Sequence, residues 1–221
     1  MLRAINRSGR FNINETIKYM DKSELDALLS AFRRYYYGGF IAPAGCASGV
    51  LRLRRRRGRY WLVFLVARYT GARISEVLAI DDARDIDFKA SSIRLRILKR
   101  KEELYRMVPV PWQVIGEINL YLTNHPDMRG RIFKVNRSNF FKKMQEIGLA
   151  INLPKEKLHP NVLRHSRAME MIWADTPLNV VQAALGHASI LNTSLYLALS
   201  GAGIAHRRKL KGKGTCMVIQ R

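Results

Sequence analysis

The spacing of apolar and polar positions changes twice along the chain. In "DKSELDALLSAF", Leu25, Leu28, Leu29 and Phe32 recur every three or four residues, which places them on one face of a helix. Asp21 and Glu24, three residues apart, form the reciprocal pattern of a capping box at its start. "GGFIAPAGCASGV" breaks that helix with small residues, glycine and proline. The basic run "LRLRRRRGR" at 51–59 reads as a solvated loop, part of a basic loop over 38–59. "YWLVFLVARY" (60–69) is apolar enough for a buried helix, with Trp61 and Phe64 in the core, and a turn at Thr70 and Gly71 leads to another helix from about Ala72.

The period then shortens to two. Ile93, Leu95 and Ile97 alternate with Arg94 and Arg96, the pattern of a half-buried strand. "YRMVPV" (105–110) reads as its antiparallel return partner and "ARDIDF" (83–88) as a third strand. Helical spacing resumes over 112–122, 139–147, 160–174, 177–185 and 193–199, with Trp173 assigned to the core. Pro177 and Gly186 supply a start and a stop for the fourth of these. The pattern predicts a mainly α fold with a small antiparallel sheet of about three strands. Residues 1–20 read as a polar arm, and 21–221 as one domain with a basic tail at 206–221.

Composition narrows the partners. Hydrophobic residues make up 48% of the 221, enough for a folded core rather than a disordered chain. Thirty-nine Lys and Arg against 17 Asp and Glu leave a net charge of +22, which calls for a polyanionic partner, nucleic acid above all. A ribosomal or membrane-surface protein is the plainer alternative. No apolar run approaches the ~20 residues of a membrane span, and the N-terminal stretch lacks the apolar core of a signal peptide. Cys46 and Cys216 sit in dissimilar contexts without metal-ligand spacing, so a reducing, cytoplasmic setting with no metal and no cofactor is expected.

Five segments then stand in order. "TGARISE" carries Arg73; a strand turn carries Lys99 and Lys101 ahead of "RMVPV"; "HPNVLRHS" carries Arg164; "LGH" ends at His187; and Tyr196 follows nine residues later. Taken singly, the arginines are surface charges, the lysines solvated turn residues, His187 a helix C-terminal cap and Tyr196, between Leu195 and Leu197, a core residue. Those explanations predict no common order or spacing.

Together the segments resemble the tyrosine recombinase (phage integrase) family, from about residue 21 to Tyr196. The resemblance implies that 21–221 is a catalytic domain. Relatives carry a helical DNA-clamping domain ahead of it, and none is expected from the roughly twenty preceding residues. It further implies that Tyr196 attacks a DNA phosphodiester, leaving a 3′-phosphotyrosyl link and a free 5′-hydroxyl without ATP or metal. A phenol of pKa ~10 is about a thousandth ionised at pH 7 and needs a cationic field and a proton acceptor. Arg73 and Arg164 supply the field, each forking two hydrogen bonds to phosphate oxygens. His187 bonds the phosphate or helps orient the proton transfer. Lys101, five residues before Arg106, protonates the leaving 5′-oxygen, with Lys99 the alternative.

Where the family has a histidine, three residues before the second arginine, this chain has Asn161. An amide donates a hydrogen bond but exchanges no proton at neutral pH. Whether His159 substitutes is open, as is whether Glu76 buttresses an arginine or lies on the surface. His165 and His206 read as structural or surface residues. Arg52, Arg54, Arg55, Arg56, Arg57, Lys99, Arg207 and Arg208 are candidate phosphate contacts that carry no sequence information. The expected function is a site-specific recombinase acting on double-stranded DNA as a homo-oligomer, four protomers on two sites. The alternatives are a type IB topoisomerase and a non-catalytic DNA-binding regulator, the latter favoured by Asn161.

Overall fold

The computed structural model describes residues 17–38, 47–97, 103–187, 189–197 and 199. Outside them lie most of the N-terminal arm, the segment 39–46 with Cys46, the hairpin turn with Lys99 and Lys101, and the tail with His206, Arg207, Arg208 and Cys216. Helix α1 (Lys22–Tyr37) opens on the expected capping box: Glu24 N–H donates to Asp21 Oδ1, and Asp21 N–H donates to Glu24 Oε2, both at 2.9 Å. Its buried residues Leu25, Leu28 and Phe32 face α2 (Ala47–Thr70), where the Phe32 ring stacks on Phe64 at 4.1 Å.

Helix α2 corrects the sequence reading. Residues 47–59 are not part of a loop but the first half of a 24-residue helix. Arginine and leucine are strong helix formers, and long arginine stems pack while their heads reach polar partners. Arg55 pairs with Asp127 at 2.8 Å, Arg57 lies over the Tyr35 ring at 4.9 Å, and Arg59 Nε donates to the Ile132 carbonyl at 3.1 Å. Arg52, Arg54 and Arg56 are exposed along the same helix. The helix expected from Ala72 is also shorter than anticipated: α3 is the single turn Ile74–Val77, with Arg73 at its N-cap.

The sheet follows the two-residue period. Strands β1 (Ile86–Asp87), β2 (Ser92–Arg96) and β3 (Tyr105–Pro109) are antiparallel in the order β1-β2-β3, with Ile93 opposite Val108 and Leu95 opposite Arg106. Ile93 and Leu95 are buried. Helices α4 (Trp112–Asn124), α5 (Arg137–Leu149), α6 (Pro160–Trp173) and α7 (Leu178–Leu185) follow, and residues 191–197 form α8. Helix α2 packs against α1, α4 and α6. Trp61 and Phe64 lie in the main core; Trp173 sits half-buried at the rim of a smaller cluster, edge-on to Tyr19 at 5.5 Å. That cluster joins Ala168, Met169 and Ile172 of α6 to Val181 and Leu185 of α7 and Tyr196 of α8. Among the described residues, no helix is long and apolar enough to cross a membrane.

Gly58 marks where α2 meets α4. A Cβ there would lie 2.4 Å from Tyr121 Cε2. Tyr121 is fully buried and its hydroxyl donates to the Arg55 carbonyl at 3.0 Å, so the ring has little room to yield. Helix propensity alone would make Gly58→Ala about 1 kcal/mol more stable. Overpacking of this kind costs about 1–3 kcal/mol, and it dominates here. Urea unfolding of Gly58→Ala should show a net loss; an unchanged or raised midpoint would mean slack between the two helices.

Candidate functional site

The site is assembled where α2 stops. Thr70 Oγ1 donates to the Val66 carbonyl at 2.6 Å and accepts from Ala72 N–H at 3.2 Å. Gly71 then adopts φ +63°, and a Cβ on it would meet Leu185 Cδ2 at 2.8 Å, so α7 closes directly onto this turn. The turn sets Arg73 at the head of α3 and Glu76 one turn later.

Glu76, 1% exposed, is no surface charge. Its Oε1 accepts from Arg73 Nη1 at 3.1 Å, while Oε2 accepts from Arg73 N–H at 3.1 Å and from Arg106 Nη2 at 2.7 Å. Arg106, on β3, also donates from Nε to the Ala184 carbonyl at 2.9 Å, near the end of α7. One carboxylate therefore connects the Arg73 turn through Arg106 to the segment that carries His187. Gly186 is required twice in that segment: its φ is +68°, and a Cβ would stand 2.7 Å from Arg106 Nη1.

Arg164 projects from α6 and is 5% exposed. Nη1 donates to the Gly71 carbonyl at 3.0 Å, while Nη2 is buried with no hydrogen-bond partner among the described residues. Burial, reinforced by Arg73, lowers its pKa to about 10, which leaves it cationic at neutral pH. Three guanidinium groups thus gather around a single carboxylate. Such an excess of buried positive charge is stabilised by an anion.

His187 follows Gly186, with Nδ1 2.8 Å from Thr193 Oγ1. Its ring lies nearly parallel to that of Tyr196 at 6.2 Å, 8° from coplanar orientation. Burial and then Arg164 push the imidazole down to about 3, so it is neutral at pH 7. Tyr196 is 2% exposed. Burial pushes its hydroxyl up to about 12, against the pull of Arg164 and Arg73. Beside His187 and Arg106 opens a depression of about 360 Å³, also lined by Ile97 and Gln182.

The fold therefore brings Arg73, Arg164, His187 and Tyr196 together from separate parts of the chain. Asn161 lies in the first turn of α6, and His159 is the N-cap of that helix: its Nδ1 accepts from Asn161 N–H at 3.1 Å and its ring packs edge-on against Phe141. His159 is thus occupied in capping. Arg52, Arg54, Arg55, Arg56 and Arg57 lie on α2 rather than in a loop. Lys99, Lys101, Arg207 and Arg208 lie outside the described residues.

Sequence reasoning missed two residues. Arg106 served only as a landmark for counting back to Lys101, yet it ties β3 to both Glu76 and α7. His165 read as structural or surface, yet its Nδ1 lies 2.6 Å from Tyr196 Oη. A signal existed: His165, Ala168, Met169 and Ile172 form a stripe at helical spacing, and the last three pack with Tyr196.

Comparison with known proteins identifies the family and the fold. A profile of the phage integrase family matches residues 18–202. A tyrosine recombinase of Pseudothermotoga lettingae is 23% identical over 192 residues, covering 85% of this chain and 65% of its own length. The tyrosine recombinase XerD of Mycobacterium tuberculosis is 32% identical over 163 residues, 68% of this chain and 49% of that protein. The chain thus spans 65% of the first of these relatives and 49% of the second. Among solved structures, the XerH site-specific recombinase in a post-cleavage complex with its palindromic difH substrate superposes with a TM-score of 0.69 at 19% identity, over 95% of this chain and 57% of that one. The catalytic domain of bacteriophage HP1 integrase superposes with a TM-score of 0.53 at 21% identity, over 83% and 88%. These likenesses show the fold.

Two outcomes follow from the buried charges. Glu76→Ala strips the partner from two guanidinium groups, and losing one member of a buried pair costs about 3–5 kcal/mol; urea unfolding should show a loss of that order, and one below about 1 kcal/mol would place Glu76 in contact with solvent. The imidazoles fix the sign of a pH dependence. An unfolded chain protonates His165 and His187 near the ordinary imidazole value of 6.5, whereas the folded chain holds them neutral down to about 4 and about 3. Below 6.5 the unfolded state binds more protons, so stability falls as pH drops through that window. The urea midpoint should be lower at about pH 4.5 than at pH 7, and His187→Gln should shrink the difference; equal midpoints would mean solvated rings.

Proposed function

The chain belongs to the phage integrase family, and we propose that it is a site-specific DNA recombinase that breaks and rejoins duplex DNA through a covalent 3′-phosphotyrosyl link to Tyr196. The observation that supports this most is Arg73 and Arg106 held on one carboxylate with Arg164 close by, and Tyr196 and His187 near enough to feel Arg73 and Arg164. A single metabolite phosphate would also suit such a charge excess. A duplex fits better, because the exposed arginines of α2 add positive charge on the surface far from the pocket, where only an extended polyanion reaches both.

In this reading the scissile phosphate sits between Arg73 and Arg164. The pentavalent phosphorane carries more negative charge than the phosphodiester, so guanidinium donors held in place favour the transition state over the ground state. The buried Nη2 of Arg164 is shut off from solvent and has no hydrogen-bond partner among the described residues, so it is oriented before the charge develops. His187 stays neutral at pH 7 and acts as a hydrogen-bond donor: with Thr193 donating to Nδ1, the Nε2–H serves a phosphate oxygen. The Asn161 amide supplies a further donor.

Attack forms the Tyr196 Oη–phosphorus bond and breaks the bond from phosphorus to O5′, which takes a proton from Lys101 or, in the alternative register, Lys99. The phosphotyrosyl bond conserves the energy of the diester, so rejoining consumes no ATP. Because the phenol is 2% exposed, a path to it must open when DNA binds. Exchange of strands between two duplexes calls for four protomers on two sites.

The test is a covalent adduct. A pool of nicked duplexes of randomised sequence should yield a protein–DNA band on denaturing electrophoresis, and sequencing the trapped DNA should return a preferred site. Tyr196→Phe should abolish the band while DNA affinity stays within about twofold, and Arg164→Ala should slow its formation by about 10²–10³. An adduct that survives Tyr196→Phe refutes the assignment. Wild-type protein that binds without an adduct is a regulator, and one that relaxes supercoiled plasmid without site preference is a topoisomerase.

A further inference from the structure

Attack by a phenol requires a destination for its proton, and this deepens the reading of Tyr196 as nucleophile, on which it rests. Asn161 exchanges no proton at neutral pH. His159 spends Nδ1 on the cap of α6 and packs against Phe141. His187 stacks over the face of the Tyr196 ring and its Nδ1 meets Thr193. His125 lies against Tyr121 of α4. Among the described residues, the imidazole nitrogen at the phenolic oxygen is Nδ1 of His165, at 2.6 Å. We propose that His165 is the general base that accepts the Tyr196 proton as Oη attacks phosphorus.

The contact is built rather than incidental. His165 heads the α6 stripe whose next members, Ala168, Met169 and Ile172, pack with Tyr196 in one apolar cluster. The distance lies within the reach of a general base. Burial, and then neighbouring Arg164, depress the imidazole to about 4, so the Nδ1 lone pair is free to accept at pH 7. In the empty site the phenol, near 12, holds its proton firmly. A bound phosphodiester closes that gap from both sides. Its negative charge raises the imidazole, and the forming Oη–P bond lowers the proton affinity of Oη.

The Oη–H bond breaks with its proton passing to Nδ1, and the Oη–P bond forms. The P–O5′ bond breaks, its electron pair going to O5′, which is protonated by the general acid. In rejoining, the 5′-hydroxyl attacks and His165 returns the proton to Tyr196, as reversibility demands.

The experiment is single-turnover cleavage of the preferred nicked duplex by wild type, His165→Ala and His165→Asn. The asparagine keeps a polar partner for the phenol, should the alanine variant fold poorly. Both should cleave about 10²–10⁴-fold more slowly, with DNA affinity unchanged. Two substitutions of atoms separate a base from a structural prop. Difluorotyrosine at 196, a more acidic phenol, should recover rate in the His165 variants far more than in wild type. A 5′-bridging phosphorothiolate, whose leaving group needs no proton, should leave their defect in place. The inference fails if His165→Asn cleaves at the wild-type rate or faster, the contact then being a brake. It also fails if the phosphorothiolate restores the rate or difluorotyrosine does not. Wild type without an adduct would sink the parent reading instead, and this one with it.

Discussion

Glu76 carries its charge in a place from which water is almost absent, and three positively charged side chains crowd around it. Arg73 and Arg106 come from α3's cap and from β3, and without the carboxylate between them their mutual repulsion would spread the strands of the site apart. Arg106 extends the tie to the Ala184 carbonyl, and Gly186 allows its guanidinium to lie against the backbone. Geometry at Arg73 and His187 is thus set by one shared anchor, so a displacement of either is felt by the other.

Much of the fold was legible because local rules agreed with the tertiary result. The two-residue alternation of Ile93 and Leu95 with arginines became β2, and Asp21 with Glu24 became a capping box. The first half of α2 was not legible, because charge density was read as solvation whereas the guanidinium of Arg57 lies over Tyr35 and that of Arg55 pairs with Asp127. The order of Arg73, Arg164, His187 and Tyr196 was visible in the sequence; their meeting is a property of how α6, α7 and the end of α2 close on each other. Glu76 and Arg106 illustrate what pattern reading leaves out. A buried ion pair between residues thirty apart has no periodicity, and its members look like any surface charges until the strand and the turn are placed side by side.

The pocket holds its phenol in an environment that opposes ionisation, with burial outweighing the nearby cations. Reactivity on this view belongs to the assembled complex, since a DNA phosphate supplies the missing negative charge between the guanidiniums. For the proposed nucleophile, the same balance means quiescence in the absence of DNA, where an exposed and activated phenol would invite stray chemistry.

Helix α2 joins two very different surfaces in one rod. Its 24 residues span about 36 Å at 1.5 Å per residue, with exposed arginines toward one end and the Gly71 turn at the other. The phase between them is counted in whole residues, about 100° each. A one-residue insertion in the buried stretch would swing the arginine face a quarter-turn or more relative to the Gly71 turn. Length in that stretch is therefore under tighter constraint than the identity of any single arginine along it.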